Sequence, residues 1–342
     1  HSVEGQFISS RRASTRLLHF GIRARCEQHV LLKPAQTIVP VVCAMRISNL
    51  SDAIDRPGWL DALPPQADIS TFPPLGLNAS WAGLARCTSP AYRTDCEGSD
   101  AARLLFYGRT NGISLELGGL DGVLMSETLV LEQRLGWRRV IIEASPRYRA
   151  RRQQAAPEVV GVTAAICSSP GVVHHVGTSG ASGILEYMPT TYLEKYFPHA
   201  LAAFRRANHS WAAVDFSKLA STPVRCAPLT SVLDAIGVQW IHFFILDTEG
   251  SELNILHTVD WDRVHFGVLC IEVTSPTGSR PAEYRNHVLE FMLRRTGGKY
   301  RALFDGWPRE RNLWFMHTSF EARGVFAGDR NHPMAFSWRA SG

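Results

Sequence analysis

The chain alternates short apolar runs with segments whose apolar residues recur every three or four positions. The run at 113–117 predicts a buried strand, followed by a glycine-rich turn, a helix of about three turns and a second strand at 139–142. The same rhythm predicts further strands at 159–162, 240–246, 267–273, 300–304 and 313–317, with intervening helices that include 101–108, 229–236 and 281–295. Alternation at this spacing is typical of a Rossmann-like α/β fold, a doubly wound and mostly parallel sheet with helices on both faces.

Three parts of the chain differ in composition. Residues 1–98 form an N-terminal arm, basic at first and then rich in Pro, Asp, Ser and Gly, which predicts a loop-rich extension. The regular pattern occupies 99–320, and 321–342 form a C-terminal tail. Within the regular part, 168–228 interrupt the alternation with an insertion. Insertions in such folds usually lie over the ligand crevice, so this one is a candidate substrate lid, with a surface subdomain as the alternative.

Composition and charge exclude some classes of protein. The chain has 342 residues, 45% of them hydrophobic, which is ample for a core. Its net charge of +5 is spread out, and its 36 basic residues form no stripe with interleaved aromatics, so we expect no nucleic-acid partner. No run approaches the roughly 20 apolar residues of a membrane helix, so we expect no transmembrane segment.

Cysteines and glycosylation triplets bear on the compartment. Seven cysteines are present without a CxxC pair, which argues against structural zinc. Cys87 and Cys96 bracket a polar loop and are the pair nominated for a disulfide, with two free thiols as an equal alternative, whereas Cys167 and Cys270 read as small buried hydrophobes. Three N-x-S/T triplets begin at Asn49, Asn78 and Asn208. Together these features favour the secretory pathway, in the Golgi lumen or outside the cell, over another organelle or the cytoplasm.

Acidic residues recur where predicted strands end. They are Glu116 or Asp121 after the first strand, Glu143 after the second, and Asp247, Glu249 and Glu272 later in the chain. Ligands of open α/β sheets bind at this edge, so the placement predicts a polar cleft. Glu143 is positioned to accept hydrogen bonds from ribose hydroxyls.

The glycine turn LELGGLDG narrows the choice of nucleotide. It lacks the GxGxxG spacing that presents a helix N-terminus to a pyrophosphate, and no phosphate-binding GxxxxGK[ST] occurs. Asp121 would repel a phosphate at this point, so a ligand with a cationic end is the better match. S-adenosylmethionine, with an ammonium, a sulfonium and a ribose, meets these requirements.

Several motifs occur in an order that resembles one family. LELGGLDG, SETLVLEQRLGWRRVIIEASP, AAIC, GASGILEYM, PLTSVLD, FFILDTEGSELNIL, GVLCIEV and RNLWFMH look like the FkbM-type methyltransferases, in the branch found in algae and animals. The resemblance implies a class I, seven-stranded, S-adenosylmethionine-dependent methyltransferase, typically an O-methyltransferase. It assigns the cofactor to residues of the turn and of the next two strands, namely Glu116, Gly118, Gly119, Asp121, Gly122, Glu143, Ala165 and Ile166, with the last two near the adenine. It also places Asp247 at the reacting group.

The chain departs from this family at two positions. Many members carry an Asp where Glu116 stands, and many carry a Lys where this chain has Ile245. The longer Glu116 side chain reaches the same region, so the departure bears little on cofactor binding. A catalytic role for that Lys does not carry over.

Methyl transfer from a sulfonium is an in-line displacement, so positioning of donor and acceptor supplies most of the acceleration. A hydroxyl acceptor also benefits from a general base. Asp247 is the first choice for that base or for orienting the acceptor, with Glu249 and Glu272 as second choices, and no metal ligand is assigned. His174, His175 and His242 are base candidates only if the insertion folds over the cleft.

Two functions remain open at this point. The first is O-methylation of a hydroxyl on a carbohydrate or another small polar molecule. The second is a catalytically inactive protein of the same fold that serves as a scaffold or trafficking subunit, with a protein partner bound through the N-terminal extension.

Overall fold

The structure is a computed structural model, and it describes residues 97–106, 109–156, 159–178, 181–273, 282–303 and 312–320. The N-terminal arm up to residue 96, the C-terminal tail, Cys87, Cys96, Asn49 and Asn78 therefore lie outside the described residues. In the part of the chain that is described, no helix has both the length and the apolar character needed to cross a membrane.

The described chain forms eight α-helices and eleven strands. The helices are α1 (Glu97–Leu104), α2 (Leu129–Leu135), α3 (Arg149–Ala155), α4 (Thr190–Tyr196), α5 (Pro198–Arg206), α6 (Leu229–Ile236), α7 (Glu252–Leu256) and α8 (Ala282–Arg295). The strands are β1 (Ile113–Leu117), β2 (Arg138–Ile142), β3 (Val160–Val162), β4 (Ala165–Ile166), β5 (Gly171–Val176), β6 (Gly183–Ile184), β7 (Ser221–Ala227), β8 (Trp240–Leu246), β9 (His265–Glu272), β10 (Tyr300–Leu303) and β11 (Asn312–His317).

Seven strands form the main sheet, in the order β10-β11-β9-β8-β1-β2-β3. All neighbours pair in parallel except β11, which runs antiparallel to both β9 and β10. The chain reverses its direction of travel across the sheet between β1 and β8, and ligands of such sheets bind at that point. The predicted doubly wound, mostly parallel, seven-stranded α/β fold is confirmed.

The strands at the centre of this sheet are buried on both faces, as continuous apolar sequences require. All five residues of β1 are buried, and so are six of the seven in β8. In the register, Leu117 of β1 lies beside Ile142 of β2 and Leu246 of β8. The three strands therefore end level with one another, which brings the residues after them to a common edge.

The insertion folds into a second, smaller sheet. Its strand order is β4-β7-β5-β6. Strand β7 pairs in parallel with β4, which follows β3 of the main sheet in the sequence, and antiparallel with β5. A disulfide joins Cys167 and Cys226, whose Cα atoms are 5.6 Å apart, at the β4–β7 pair. The interpretation of Cys167 as an unbonded hydrophobe was therefore wrong, although it is buried; Cys270 is buried and free, as predicted.

Several element bounds differ from those predicted, among them those of α1, which spans Glu97–Leu104 rather than 101–108. Helix α2 has two turns rather than three because residues 126–128 bind the Glu116 carboxylate before the helix begins, and left-handed Gly136 ends it. After β2, Pro146–Tyr148 form a 3-10 turn before α3 begins at Arg149.

Candidate active site

A cavity of about 390 Å³ opens at the carboxyl edge of the main sheet. The ends of β1, β2, β8 and β9 form its floor, and β4 together with Ser182, Gly183 and Ile184 of the insertion forms a wall. Seven carboxyl side chains line it, namely Glu97, Glu116, Glu127, Glu143, Asp247, Glu249 and Glu272. Among its lining residues in the described chain there is no lysine or arginine, so the cavity favours neutral or cationic ligands.

Glu116 organises the loop that follows β1. Its carboxylate accepts hydrogen bonds from the Ser126 hydroxyl at 2.7 Å, the Glu127 amide at 2.9 Å and the Thr128 hydroxyl at 2.6 Å. The buried guanidinium of Arg139 lies 3.8 Å away and offsets part of the charge. Glu116 is only 3% exposed, so its principal contacts are with this loop even though it also reaches the cavity wall.

Gly118 brings the turn against β8. Its φ of 89° is left-handed, and a Cβ at this position would collide with the carbonyl oxygen of Asp247. Glycine meets both demands, because it has no side chain and adopts positive φ without strain. The consequence is direct contact between the turn and the residue predicted to face the reacting group.

Glu143 lies at the end of β2 as predicted and lines the cavity. Its carboxylate accepts hydrogen bonds from the backbone N–H of Leu120 at 3.1 Å and of Ser145 at 2.7 Å. Burial raises the pKa of Glu143, and these two N–H donors oppose that effect. A carboxylate fixed in this way retains lone pairs that can accept hydrogen bonds from a ribose.

The cavity is apolar beyond Glu143. Ala165 and Ile166 of β4 line it there, together with Ile142, Ala164 and Ile184. Apolar walls of this kind suit a flat aromatic ring. Because these apolar residues lie next to Glu143, this end of the cavity could hold a nucleobase.

Three carboxyl groups converge at the opposite end. One carboxylate oxygen from each of Asp247, Glu249 and Glu272 lies within 4.8 Å of the others. Like charges at this distance disfavour joint ionisation. Burial, then the neighbouring Asp247, raises the pKa of Glu272 to about 12, so Glu272 is protonated and hydrogen-bonds Asp247. The oxygen donor set also suits a divalent cation, which would relieve the same repulsion.

The loop that carries Asp247 is braced from below and above. Glu252 is fully buried and accepts hydrogen bonds from the Thr248 and Gly250 amides, both at 3.1 Å, and from the Tyr284 hydroxyl at 2.8 Å. Glu249 has a left-handed φ of 54°, a conformation that costs energy in a non-glycine residue and is concentrated at functional sites.

The insertion packs directly on this loop. Tyr192 of α4 hydrogen-bonds the Glu249 carboxylate, and a Cβ on Gly250 would overlap Pro189. Burial and the charge of Glu249 raise the pKa of Tyr192, so its hydroxyl stays protonated and donates. The insertion therefore touches the acidic residues and forms part of the cavity wall, while its role as a lid stays a prediction.

Three of the predicted cofactor residues do not line this cavity. Asp121 is turned away: its carboxylate accepts hydrogen bonds from the Val123 and Leu124 amides and pairs with Arg151 at 3.1 Å. Gly119 and Gly122 pack against Ile141, where a Cβ would be crowded. Asp121 therefore does not line this cavity, and its expected contact with a cationic ligand stays a prediction.

The three histidines predicted as base candidates differ in their contacts and in whether they line the cavity. His174 pairs with Glu186 at 2.7 Å and stacks on Phe216. His242 is buried, its Nδ1 accepts from the Ile113 amide at 2.9 Å, and burial followed by Arg109 lowers its pKa to about 3. His175 is the one of the three that lines the cavity.

Sequence reasoning missed several lining residues. Glu97 and Glu127 come from the segments around α1 and α2, and Asn312 opens β11, where it pairs with Glu272 in the register and donates to Glu97 at 2.8 Å. Glu127 lies two residues before Leu129, the first residue of α2. The antiparallel register that sets Asn312 beside Glu272 follows from long-range pairing and leaves no local signal.

The model of the methyltransferase FkbM domain matches residues 116–300, which is more than half of the chain. The chain belongs to the FkbM methyltransferase family. The resemblance in the motifs is thereby confirmed at the level of the family, and the algal and animal branch stays a prediction. No curated protein matches the chain.

Solved methyltransferase structures are similar to this FkbM domain at low identity. An FkbM methyltransferase from Methylobacillus flagellatus KT shows 11% identity and a TM-score of 0.34, with 60% of this chain and 44% of that chain covered. A precorrin-6y C5,15-methyltransferase from Geobacter metallireducens GS-15 shows 11% identity and a TM-score of 0.27, with 60% and 78% covered. A human methyltransferase 10 domain containing protein shows 10% identity and a TM-score of 0.27, with 62% and 73% covered. The chain thus spans less than half the length of the first of these proteins.

Proposed function

We propose that this protein is an S-adenosylmethionine-dependent O-methyltransferase that acts on a hydroxyl of a carbohydrate or another small polar molecule. The observation that carries the proposal is the position of Asp247. It is exposed at the carboxyl end of β8, lines the cavity, and lies between the Gly118 turn and a protonated Glu272.

The residues present fit S-adenosylmethionine. Glu143 would offer lone pairs to the ribose hydroxyls, Ala165 and Ile166 would offer apolar walls to the adenine, and Glu116 and the Gly118 turn would hold the methionine portion. Among the described lining residues, carboxylates occur without a lysine or arginine, which suits a sulfonium and an ammonium. When bound, the cofactor supplies an electrophilic methyl group.

Asp247 acts on the acceptor as general base or orienting group. An ionised carboxylate accepts the proton that the hydroxyl loses, and general-base help is typically worth about a hundred- to ten-thousandfold. Glu272 is protonated and hydrogen-bonds Asp247, so it adds no second negative charge beside Asp247. Glu249 is held by Tyr192 and forms the adjoining wall, which makes it a second choice.

The charge of the cavity also restricts the acceptor. The ionised carboxylates among the described lining residues repel phosphate and carboxylate groups, so a neutral polyol or an amine-bearing molecule fits better. We expect a neutral sugar to be methylated and its phosphate ester to be a poor acceptor. Transfer of a radiolabelled methyl group to a matched pair, such as glucose and glucose 6-phosphate, measures the difference.

Isothermal titration with S-adenosylhomocysteine tests the proposal. We expect saturable binding with one site per chain, in protein whose folding is checked by circular dichroism. A folded protein that binds neither this product nor S-adenosylmethionine at millimolar concentration would contradict the enzyme. If such a protein also captured a stoichiometric partner, the scaffold function would replace it.

The compartment is part of the proposal. The Cys167–Cys226 disulfide supports an oxidising environment, and Asn208 of the N-H-S triplet is exposed after α5. We infer residence in the secretory pathway. Expression in eukaryotic cells should give an endoglycosidase-sensitive mass shift that Asn208→Gln reduces by one glycan, and a fully reduced, unglycosylated product would contradict it. A protein partner for the N-terminal extension stays a prediction.

A further inference from the structure

One strand of the insertion places a histidine in the cavity wall. His175 of β5 is 4% exposed, yet its side chain lines the cavity. It pairs across the small sheet with Thr222 of β7 and Ile184 of β6, which fixes the backbone on both sides. The ring is therefore held in place by the second sheet rather than by a loop.

The ring of His175 is available for a ligand. Within the described part of the chain, no hydrogen bond or ion pair reaches it, whereas the adjacent His174 pairs with Glu186 at 2.7 Å. Buried polar groups are almost always hydrogen-bonded to protein or to ordered molecules. His175 is 96% buried and lines the cavity, so a ligand in that cavity is the partner that its ring can reach.

The position of His175 identifies the end of the cavity. Val173, two residues earlier and so on the same face of β5, packs in one cluster with Ala165 and Ile184. Ala144, which follows Glu143, is packed against this cluster. His175 shares this face of β5, and the charge of Arg147, four residues after Glu143, acts on its ring. Both observations place His175 toward the apolar end next to Glu143.

The protonation state limits what His175 can bind. Burial, followed by the charge of Arg147, lowers its pKa to about 4, so the imidazole is neutral at physiological pH. A neutral imidazole offers one N–H donor and one nitrogen acceptor. The edge of adenine offers the complementary set, an amino group and ring nitrogens.

We propose that His175 hydrogen-bonds the nucleobase of the methyl donor, so that the insertion completes the adenine pocket as well as touching the acidic loop. The inference rests on the proposed use of S-adenosylmethionine. It makes His175 a binding residue that sets nucleobase specificity, and it gives the insertion a function at the donor end of the cavity.

The test compares two ligands with the full-length protein by isothermal titration. S-adenosylhomocysteine carries the amino group of adenine, and S-inosylhomocysteine carries a carbonyl in its place. The unsubstituted protein should prefer the first. His175→Phe keeps an aromatic ring without the hydrogen bond, and we expect about tenfold weaker S-adenosylhomocysteine binding with most of the preference lost. His175→Asn, which retains a donor and an acceptor, should restore part of both.

The matched control is His199→Phe, a change at an exposed histidine of α5, which should leave both affinities unchanged. Circular dichroism of each variant establishes folding, and His175→Asn serves if His175→Phe does not fold. Unchanged affinity and unchanged preference in the His175 variants would overturn the inference while leaving the proposed function standing. A higher acceptor KM with normal donor binding would overturn it too. Failure of the unsubstituted protein to bind S-adenosylhomocysteine would instead overturn both.

Discussion

The two ends of the cavity use the same type of side chain in opposite ways. At the end where we propose that the methyl donor binds, the carboxylates of Glu116 and Glu143 accept hydrogen bonds from the surrounding loops. At the other end, Asp247, Glu249 and Glu272 crowd within 4.8 Å, and Glu272 carries a proton. Carboxylates that are satisfied by the backbone shape a pocket, whereas carboxyl groups that repel one another cannot all ionise, and one of them keeps its proton.

The largest effect should come from the crowded end. Asp247→Asn keeps the shape and removes the charge, so we expect turnover to fall by about a hundred- to ten-thousandfold, the usual contribution of a general base. Binding of S-adenosylhomocysteine should change by less than about threefold, because the hydrogen-bonded carboxylates lie at the other end. Methyl transfer and titration calorimetry on the same preparation measure the two quantities.

Glu283→Gln is the control, since it removes an exposed carboxylate of α8. It should leave turnover and binding unchanged. If Asp247→Asn retained turnover, Asp247 would have no part in the mechanism, and Glu249 would become the first candidate.

A substitution at Glu143 should weaken binding of the methyl donor and leave turnover nearly unchanged, the reverse of the effect expected at Asp247. Glu143→Gln retains one oxygen for the Leu120 or Ser145 amide but loses the charge, so hydrogen bonds to ribose weaken. Loss of a hydrogen bond to a charged group costs about 1.5–3 kcal/mol, or roughly ten- to hundredfold in the Kd for S-adenosylhomocysteine. With saturating donor, kcat should be close to normal. A normal Kd would show that the ribose does not meet Glu143.

The proton at the crowded end should be visible in stability. The folded-state pKa of Glu272 is raised to about 12 from an ordinary 4.5. Unfolding above pH 4.5 therefore releases a proton, so the free energy of unfolding falls as the pH rises above that value. Glu272→Gln cannot ionise. At pH 8 we expect the free energy of unfolding, measured by urea titration, to be higher in the variant than in the unsubstituted protein by about 1 kcal/mol or more. Near pH 4.5 the two proteins should have the same value. An equal difference at both pH values would mean that Glu272 is not protonated in the fold.

Sequence patterns predicted the main sheet well because its signals are local. Continuous apolar runs such as 113–117 and 240–246 match β1 and β8 residue for residue. The acids at strand ends were found for the same reason. The insertion's sheet could not be predicted, because β4 and β7 pair across about 60 residues and are joined by Cys167 and Cys226. Which carboxylates are already satisfied also depends on contacts that no spacing reveals, as Asp121 shows.

Asp121 gives the smallest expected effect and the sharpest check on the division between satisfied and crowded acids. Its Oδ1 accepts from the Val123 and Leu124 amides, and Arg151, 60% exposed, pairs with its other oxygen. Asp121→Asn keeps an oxygen for the amides, and Arg151→Gln removes an exposed ion pair that is worth at most about 1 kcal/mol. Each variant should therefore lower Tm by only a few degrees and change the Kd for S-adenosylhomocysteine by less than about threefold. Tenfold weaker binding in Asp121→Asn, with Arg151→Gln unaffected, would return Asp121 to the cofactor site and show that a satisfied carboxylate still acts on the ligand.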